Sequence, residues 1–439
     1  MLKLWIRSGA ALGALAMAVV SVQAGSAAVS ASVPVRAEQS GPQALVDGYV
    51  AANKLPGVVL AYASGDVAPT FVSAGRIADG PDAPLAGPDS LWRVYSMTKP
   101  ITAMAAMILI EEGKIGLDQP ISDFIPAFKD MTVLVDPAAT EGLASRPATR
   151  PITVRNLLTH TAGLGYNIIT KGPLLDAYNR MGINPATVNV AMEQQFAKVR
   201  PTSLEAFANK VAELPLIAEP GTKWSYSIGL DVLGRVIEVA SGMAFDTFVQ
   251  TRLLDPLKMT STYWTVPASE AGRLATNYTF VGENRVPIDP GATSVWLSPP
   301  AFPYGGAGLV MSARDYDRFL HMLLNLGTLD GARVMKPETA RLAMSNLLPD
   351  GVDYGGVAGA TGGMSGTKLG FGAGGSVYLE SVPGGPGKGT YGWGGAAGTF
   401  ASVDPTNHVR IVGMVNYFPS DKWPLRAEAV TAIYAATAK

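Results

Sequence analysis

The sequence predicts a mixed α/β (α+β) fold, in which strands from the two ends of the chain share one sheet and a helical region is inserted between them. Three observations predict it. Short apolar runs bounded by Gly, Pro and Asp stand near one end, at residues 58–63 and 70–73, and again near the other, at 376–379, 399–403 and 409–415. Helical periodicity dominates the stretch between them. Of the 439 residues, 48 % are hydrophobic and 16 % charged, enough to bury a large core, so disorder and coiled coil are excluded.

Taken in order, the chain begins with Lys3 and Arg7, an apolar run over 10–20, and small-residue sites at Val22-Gln23-Ala24 and Ser26-Ala27-Ala28. This reads as a secretory signal peptide over 1–24, followed by a flexible leader over 25–40. The apolar run is shorter than the ~20 residues a membrane span needs. The expectation is an exported protein, periplasmic or secreted, with no stable membrane anchor. Residues 41–120 and 290–439 are then read as the sheet region, and 121–289 as the helical region.

The runs at 58–63 and 70–73 predict an antiparallel strand pair. Ile101, Met104, Ala105, Ile108 and Leu109 share one face of a helix, and Gly113 stands where a helix stops. Val232, Leu233, Val236, Ile237 and Ala240 form a second stripe, ended by Gly242. Ser312 is a candidate N-cap for a helix carrying Phe319, Leu323 and Leu324. Residues 351–398 hold 19 of the 49 glycines without a fixed period, which reads as loops between strands. A last helix is predicted over 424–436.

Composition excludes several function classes. Lys+Arg is 34 and Asp+Glu 35, so no basic excess exists to neutralise phosphates, and nucleic acid is not an expected partner. There is no cysteine, hence no disulfide, thiolate metal site or Cys nucleophile. No His-Glu-x-x-His motif or His/carboxylate cluster is present, so neither a metal nor another cofactor is expected.

Three segments could carry chemistry. Ser96-Met97-Thr98-Lys99 puts Ser and Lys at i, i+3, on one helical face. Pro100 is tolerated only in a first turn, so the helix should begin near Ser96. A neutral lysine amine there could take the Ser hydroxyl proton, a role that burial or a nearby cation favours. An oxyanion beside Ser96 would face the positive end of the helix dipole. The spacing alone is weak: the bland alternative is an N-cap serine beside a surface lysine. Ser365-Gly366-Thr367-Lys368 repeats it among glycines and reads as loop.

The second segment is Pro220-Gly221-Thr222-Lys223-Trp224-Ser225-Tyr226-Ser227, just before the second helical stripe. Tyr226 could point into a cleft and act as a base, its phenolate stabilised by a lysine ammonium. The alternative is a core tyrosine with Ser227 as N-cap. The third is Trp393-Gly394-Gly395-Ala396, placed before a predicted strand, where glycine lets backbone approach a ligand and an edge N–H serve as an oxyanion donor. An ordinary turn is the alternative. His160 lies in Leu157-Leu158-Thr159-His160-Thr161-Ala162-Gly163-Leu164, but no Gly-x-Ser-x-Gly elbow accompanies it. It reads as structural, its imidazole bonding backbone. His321 and His408 read as bland.

These segments in this order resemble the serine β-lactamase and penicillin-binding-protein superfamily, in particular the class C-like branch that contains family VIII carboxylesterases. The likeness covers residues 42–435 and extends to Thr153-Val154-Arg155-Asn156-Leu157-Leu158-Thr159-His160-Thr161, Gly308-Leu309-Val310-Met311-Ser312, Gly398-Thr399 and Val403-Asp404-Pro405. It implies an antiparallel sheet flanked by helices, an all-helical subdomain, and a β-lactamase/D,D-peptidase-like site between them. It carries over Ser96 as the acylated nucleophile, Lys99 as its activating partner, and Tyr226 as general base and then proton donor to the leaving group. The backbone N–H groups of Ser96 and Ala396 would form the oxyanion hole.

Two departures bear on the substrate. The Asn of the family's Tyr-x-Asn motif is Ile228, and its Lys-Thr-Gly motif is Trp393-Gly394-Gly395; Lys388-Gly389-Thr390 does not have that letter order. Both changes replace polar recognition by apolar surface, which favours uncharged esters over anionic β-lactams. Trp393, Gly394, Gly395, Ile228 and Tyr166, with Tyr95, are the candidate pocket residues. The leading expectation is an exported carboxylesterase acting on a small-molecule ester, of short-chain or bulky-alcohol type. A β-lactamase or D,D-peptidase, an acyltransferase using the same acyl-enzyme, and a non-catalytic peptidoglycan-binding module are the alternatives.

Overall fold

A computed structural model describes residues 41–356 and 367–438. The predicted signal peptide and leader, and Ser365-Gly366 of the second Ser-x-x-Lys, lie outside the described residues.

The main sheet has seven strands: β1 (Gly57–Ser64), β2 (Thr70–Gly75), β3 (Leu369–Phe371), β4 (Ser376–Tyr378), β5 (Tyr391–Gly394), β6 (Phe400–Asp404) and β7 (Val409–Met414). Their spatial order is β3-β4-β5-β6-β7-β1-β2, antiparallel throughout. The two ends of the chain meet where β1 pairs with β7, from Val59↔Met414 to Ser64↔Val409. β1 reads as a continuous apolar run because both its faces are buried. Val58 and Leu60 face one core, with Val46, Tyr49, Ile433 and Tyr434; Val59 and Ala61 face the other.

Five helices position the site: α1 (Pro42–Ala51), α2 (Thr98–Glu111), α3 (Gly229–Ser241), α4 (Ala313–Leu324) and α5 (Leu425–Thr437). α1 and α5 cover one face of the sheet, and α4 lies across β1, β6 and β7 on the other. α2 is not amphipathic: every side chain from Thr98 to Leu109 is buried, so it is a central helix packed on α3 and on β5. Gly113 ends it at φ +70° and Gly242 ends α3 at φ +69°, the left-handed conformation that glycine adopts without steric cost. The Ser312 hydroxyl caps α4, accepting from the Asp315 N–H at 3.1 Å.

Short strands also occur between 121 and 289. Thr262–Tyr263 pairs with Val310–Ser312, which pairs with Leu91–Arg93. The hairpin Asn277–Val281 and Asn284–Asp289 runs beside Tyr417–Phe418.

Two buried ion pairs lock these parts. Arg410 Nε lies 3.0 Å from Asp317 of α4, and its other nitrogens donate to the Gly65 and Val67 carbonyls of the β1–β2 turn. Arg93, three residues before Ser96, has no exposure. It donates to Asp289 at 2.5 and 2.9 Å, to Ser294 Oγ at 2.9 Å and to the Ala275 carbonyl. Its backbone is clamped by Asn416, which accepts from the Arg93 N–H and donates to the Arg93 carbonyl, both at 3.1 Å. Removing the carboxylate leaves a buried unpaired charge. Asp289→Ala is therefore expected to lose about 3–5 kcal/mol in urea unfolding; a loss below about 1 kcal/mol would show that the pair does not hold this region.

Candidate active site

The chain reaches Ser96 through a left-handed turn. Tyr95 has φ +41°, a conformation costing a non-glycine residue roughly 1–2 kcal/mol. Packing holds it there. Its ring lies edge-on to Trp296 and Phe418, with centroids at 5.9 and 5.6 Å, and its hydroxyl accepts from Asn277 Nδ2 at 2.9 Å. Tyr95 is thus turned away from Tyr226 and is not a pocket residue. A 3-10 turn, Tyr95–Met97, then leads into α2, which places Lys99 and Pro100 in the first helical turn, as the proline predicts.

Ser96, Lys99 and Tyr226 converge. The Tyr226 hydroxyl donates to Ser96 Oγ at 2.7 Å. Lys99 Nζ lies 3.3 Å from Ser96 Oγ and donates to the Gly306 carbonyl at 2.8 Å. The ammonium also sits over the rings of Tyr226 and Tyr166, 4.6 and 5.4 Å from their centroids. Lys99 is fully buried, whereas Lys223, beside Tyr226 in sequence, is exposed. Trp393 Nε1 donates to the Tyr226 oxygen at 3.4 Å. A hydroxyl nucleophile thus has two proton-handling groups within hydrogen-bond reach.

The Trp-Gly-Gly segment differs from its sequence reading. Trp393 and Gly394 belong to β5 itself, paired with Ala401 and Phe400 of β6, and only Gly395 and Ala396 form the turn that follows. Gly395 packs against the residues just before Ser96. A Cβ there would lie 2.4 Å from the Val94 carbonyl oxygen and 2.1 Å from Thr399 Oγ1. This contact brings the exposed Ala396 turn to the Ser96 segment, and neither the Ser96 nor the Ala396 N–H donates to another described residue. Two free donors on adjoining segments are what an oxyanion site requires.

The remaining candidates separate. Tyr166 is at the site, its ring 5.3 Å from that of Tyr226. Ile228 is not: it caps α3, fully buried in the main core, its N–H bonded to the Gly165 carbonyl at 3.3 Å. An apolar side chain there serves packing rather than a pocket. His160 is structural. Its Nδ1 accepts from the Ser227 N–H at 3.2 Å and bonds the Ser227 hydroxyl at 2.9 Å. Burial, and then the Lys99 charge, hold this imidazole well below its ordinary pKa, so it stays neutral. His321, on α4, pairs with Asp66 of the β1–β2 turn, and His408 lies in the β6–β7 turn.

Several neighbours were missed by sequence reasoning. Trp224 and Phe371 build an aromatic wall with Trp393, Tyr226 and Tyr354. Trp224 is two residues from Tyr226 and was within sight; Phe371 carries no motif. The Arg426 guanidinium, from the first turn of α5, lies against Gly394, where a Cβ would be 2.1 Å from Nη2. The strand that carries Trp393 thus has a cation on its reverse side. Asp231, on the first turn of α3, is fully buried, and burial raises its carboxyl to about 7 against the opposing pull of Lys99. Among the described residues no cluster of three or more His, Asp or Glu could hold a metal ion, and no helix is long and apolar enough to cross a membrane.

The family model for Beta-lactamase matches residues 42–435. The chain belongs to that family. Rv1367c of Mycobacterium tuberculosis is 34 % identical over 79 % of this chain and 81 % of its own length. Esterase EstB of Burkholderia gladioli is 30 % identical over 79 % and 83 %. Among solved structures, EstCE1, described as a hydrolase with promiscuous acyltransferase activity, superposes with a TM-score of 0.71 at 26 % identity, covering 90 % of this chain and 97 % of that one. The family member is therefore an enzyme of serine-hydrolase type, of the family VIII-like esterase kind, with acyl-enzyme chemistry; the non-catalytic reading is set aside.

Gly395→Ala is expected to push the Ala396 turn away from Ser96 and lower kcat for an activated ester about 100-fold, the scale of a lost oxyanion donor. Steady-state kinetics on variant with unaltered near-UV circular dichroism checks it. Retention of kcat within about threefold would place the oxyanion donors elsewhere.

Proposed function

We propose that this enzyme is an exported carboxylesterase that cleaves small, largely apolar esters through an acyl-enzyme on Ser96. The 2.7 Å contact between the Tyr226 hydroxyl and Ser96 Oγ carries the reading. In the reactive form Tyr226 has lost its proton to solvent and is a phenolate beside the Lys99 ammonium; as Ser96 Oγ attacks the acyl carbonyl carbon, the Ser96 proton passes to that phenolate oxygen across the same contact. The carbonyl electrons collect on the oxygen facing the Ser96 and Ala396 N–H groups. Collapse expels the alcohol, which takes the proton from Tyr226. Water then repeats the sequence on the acyl-enzyme, releasing the acid and restoring Ser96. The aromatic wall of Trp224, Phe371 and Trp393 supports an apolar substrate. Export rests on the basic, apolar and small-residue pattern of residues 1–28. Neither nucleic acid nor a membrane anchor has a place in this reading.

A second reading has one observation in its favour. EstCE1 is described as having acyltransferase activity, and an alcohol could attack the same acyl-enzyme in place of water. Product analysis with a competing alcohol separates the two.

The test compares p-nitrophenyl butyrate with a chromogenic cephalosporin, using residues 25–439. Ester turnover is expected to dominate. Ser96→Ala is expected to lower kcat by at least about 10³-fold and Tyr226→Phe by about 10²–10⁴-fold, at unchanged fold. Preferential cephalosporin cleavage, or Ser96→Ala with parental ester turnover, would overturn the reading.

A further inference from the structure

The loop over residues 304–309, Tyr304-Gly305-Gly306-Ala307-Gly308-Leu309, belongs to none of the three motif segments, yet it runs between the helix of Ser96 and Lys99 and the helix that follows Tyr226. It is laced to α2 at three positions. The Leu309 N–H donates to Thr98 Oγ1 at 3.1 Å, Lys99 Nζ donates to the Gly306 carbonyl at 2.8 Å, and Thr102 Oγ1 donates to the Gly305 carbonyl at 2.7 Å. It is held on α3 by one side chain: Asp231 Oδ1 accepts from the Gly306 N–H at 2.8 Å. The gap between the helices is so narrow that both residues must be glycine. A Cβ on Gly305 would lie 2.4 Å from the Leu230 carbonyl oxygen, and one on Gly306 would lie 2.5 Å from Asp231 Oδ2.

A single residue, Gly306, thus stands between the two charges. Its N–H, in the 305–306 peptide, faces the Asp231 carboxylate, and its carbonyl, in the 306–307 peptide, faces Lys99. The two peptides are joined through the Gly306 Cα, so fixing one limits where the other can point. Among the described residues Lys99 makes no direct ion pair, and Asp231 Oδ2 is buried without a hydrogen-bond partner. Leaving a buried carboxylate half-satisfied costs stability, and a core position on α3 would be better filled by an apolar residue. A carboxylate buried at such a cost, one residue away from Lys99, points to a use in the site.

We propose that Asp231 is a positioning residue, which holds Gly306 by its N–H and, through the carbonyl of that residue, aims Lys99 Nζ at Ser96 Oγ. The inference rests on the reading of Ser96 as the acylated nucleophile. Without the Asp231 acceptor Gly306 is free to shift, and Lys99 loses the fixed position of the second of its two polar contacts. The defect should appear in activation of Ser96 and not in substrate binding. The groups that face Asp231 are Lys99 on α2, Tyr166 on the loop after residues 154–158, and Tyr304 on the strap, itself bonded to Arg200. The comparison is therefore made at one fixed pH.

Two variants of nearly unchanged shape test this. Asp231→Asn keeps an oxygen for the Gly306 N–H; Asp231→Leu removes it. The readouts are kcat and KM for p-nitrophenyl butyrate and the second-order rate at which a fluorophosphonate labels Ser96, at pH 8. Asp231→Leu is expected to lower kcat and the labelling rate at least about 10-fold with KM within about threefold, and Asp231→Asn to restore both to within about threefold of the parent. Should Asp231→Leu not fold, Asp231→Ala takes its place. A folded variant without the acceptor that labels at the parental rate overturns the proposal, as does Asp231→Asn no faster than Asp231→Leu. Failure of the parent itself to label at Ser96 would instead overturn the acyl-enzyme reading on which the proposal stands.

Discussion

The guanidinium of Arg93 has no contact with water, so its donors must be met inside the protein. They are met by Asp289, Ser294 and the Ala275 carbonyl, while Asn416 grips its backbone. Residue 93 is thereby tied to the 277–289 hairpin and to the end of the last sheet strand. This anchor stands immediately before the left-handed Tyr95, and the aromatic ring of Tyr95 is gripped in turn by Trp296 and Phe418. A strained backbone persists only where its surroundings over-determine it. Ser96 owes its orientation to that arrangement, and the groups that meet it come from segments about 130 and 300 residues further along the chain.

Around Ser96 the protein surrounds charge with rings. Lys99 lies over two tyrosines, and neutral His160 packs edge-on to Tyr226, Trp224 and Phe371. Burial among rings lowers the local dielectric and strengthens each electrostatic contact there. It also corrects a simple view of the cleft as apolar. The family's third-motif lysine is replaced by Trp393, but Arg426 approaches the same strand from α5. The site carries an aromatic wall, with a cation behind one strand.

Much of the framework was legible. The helix over Lys99, its start within one turn before Pro100, the stops at Gly113 and Gly242 and the cap at Ser312 follow from local rules, because caps and turns depend on residues a few positions apart. The errors share a different origin. β5 carries glycines at 392 and 394 and falls in the Gly-rich stretch that reads as loops between strands, since glycine disfavours strands locally; pairing on both sides overrides that preference. Ile228 was placed in a pocket because it follows Tyr226. An apolar residue at that position fits a pocket or a core equally well, and only the packing beneath Gly165 decides. Asp231 left one trace, a carboxylate within an otherwise apolar helical stripe, which by itself names no partner.

By itself, the sequence determined most of the element types, the joining of the two chain ends in one sheet and the likeness to the superfamily, and it singled out Ser96, Lys99 and Tyr226 as candidates. These rest on periodicity, turn chemistry and motifs, all carried by residues near one another in the chain. The tertiary structure alone decided which donors face Ser96, that Ile228 and Tyr95 are packing residues, that Arg426 lies behind Gly394, and that Gly306 stands between Lys99 and Asp231. Those contacts join residues separated by tens to hundreds of positions, and their geometry follows from how the helices and the sheet pack rather than from any local preference of the chain.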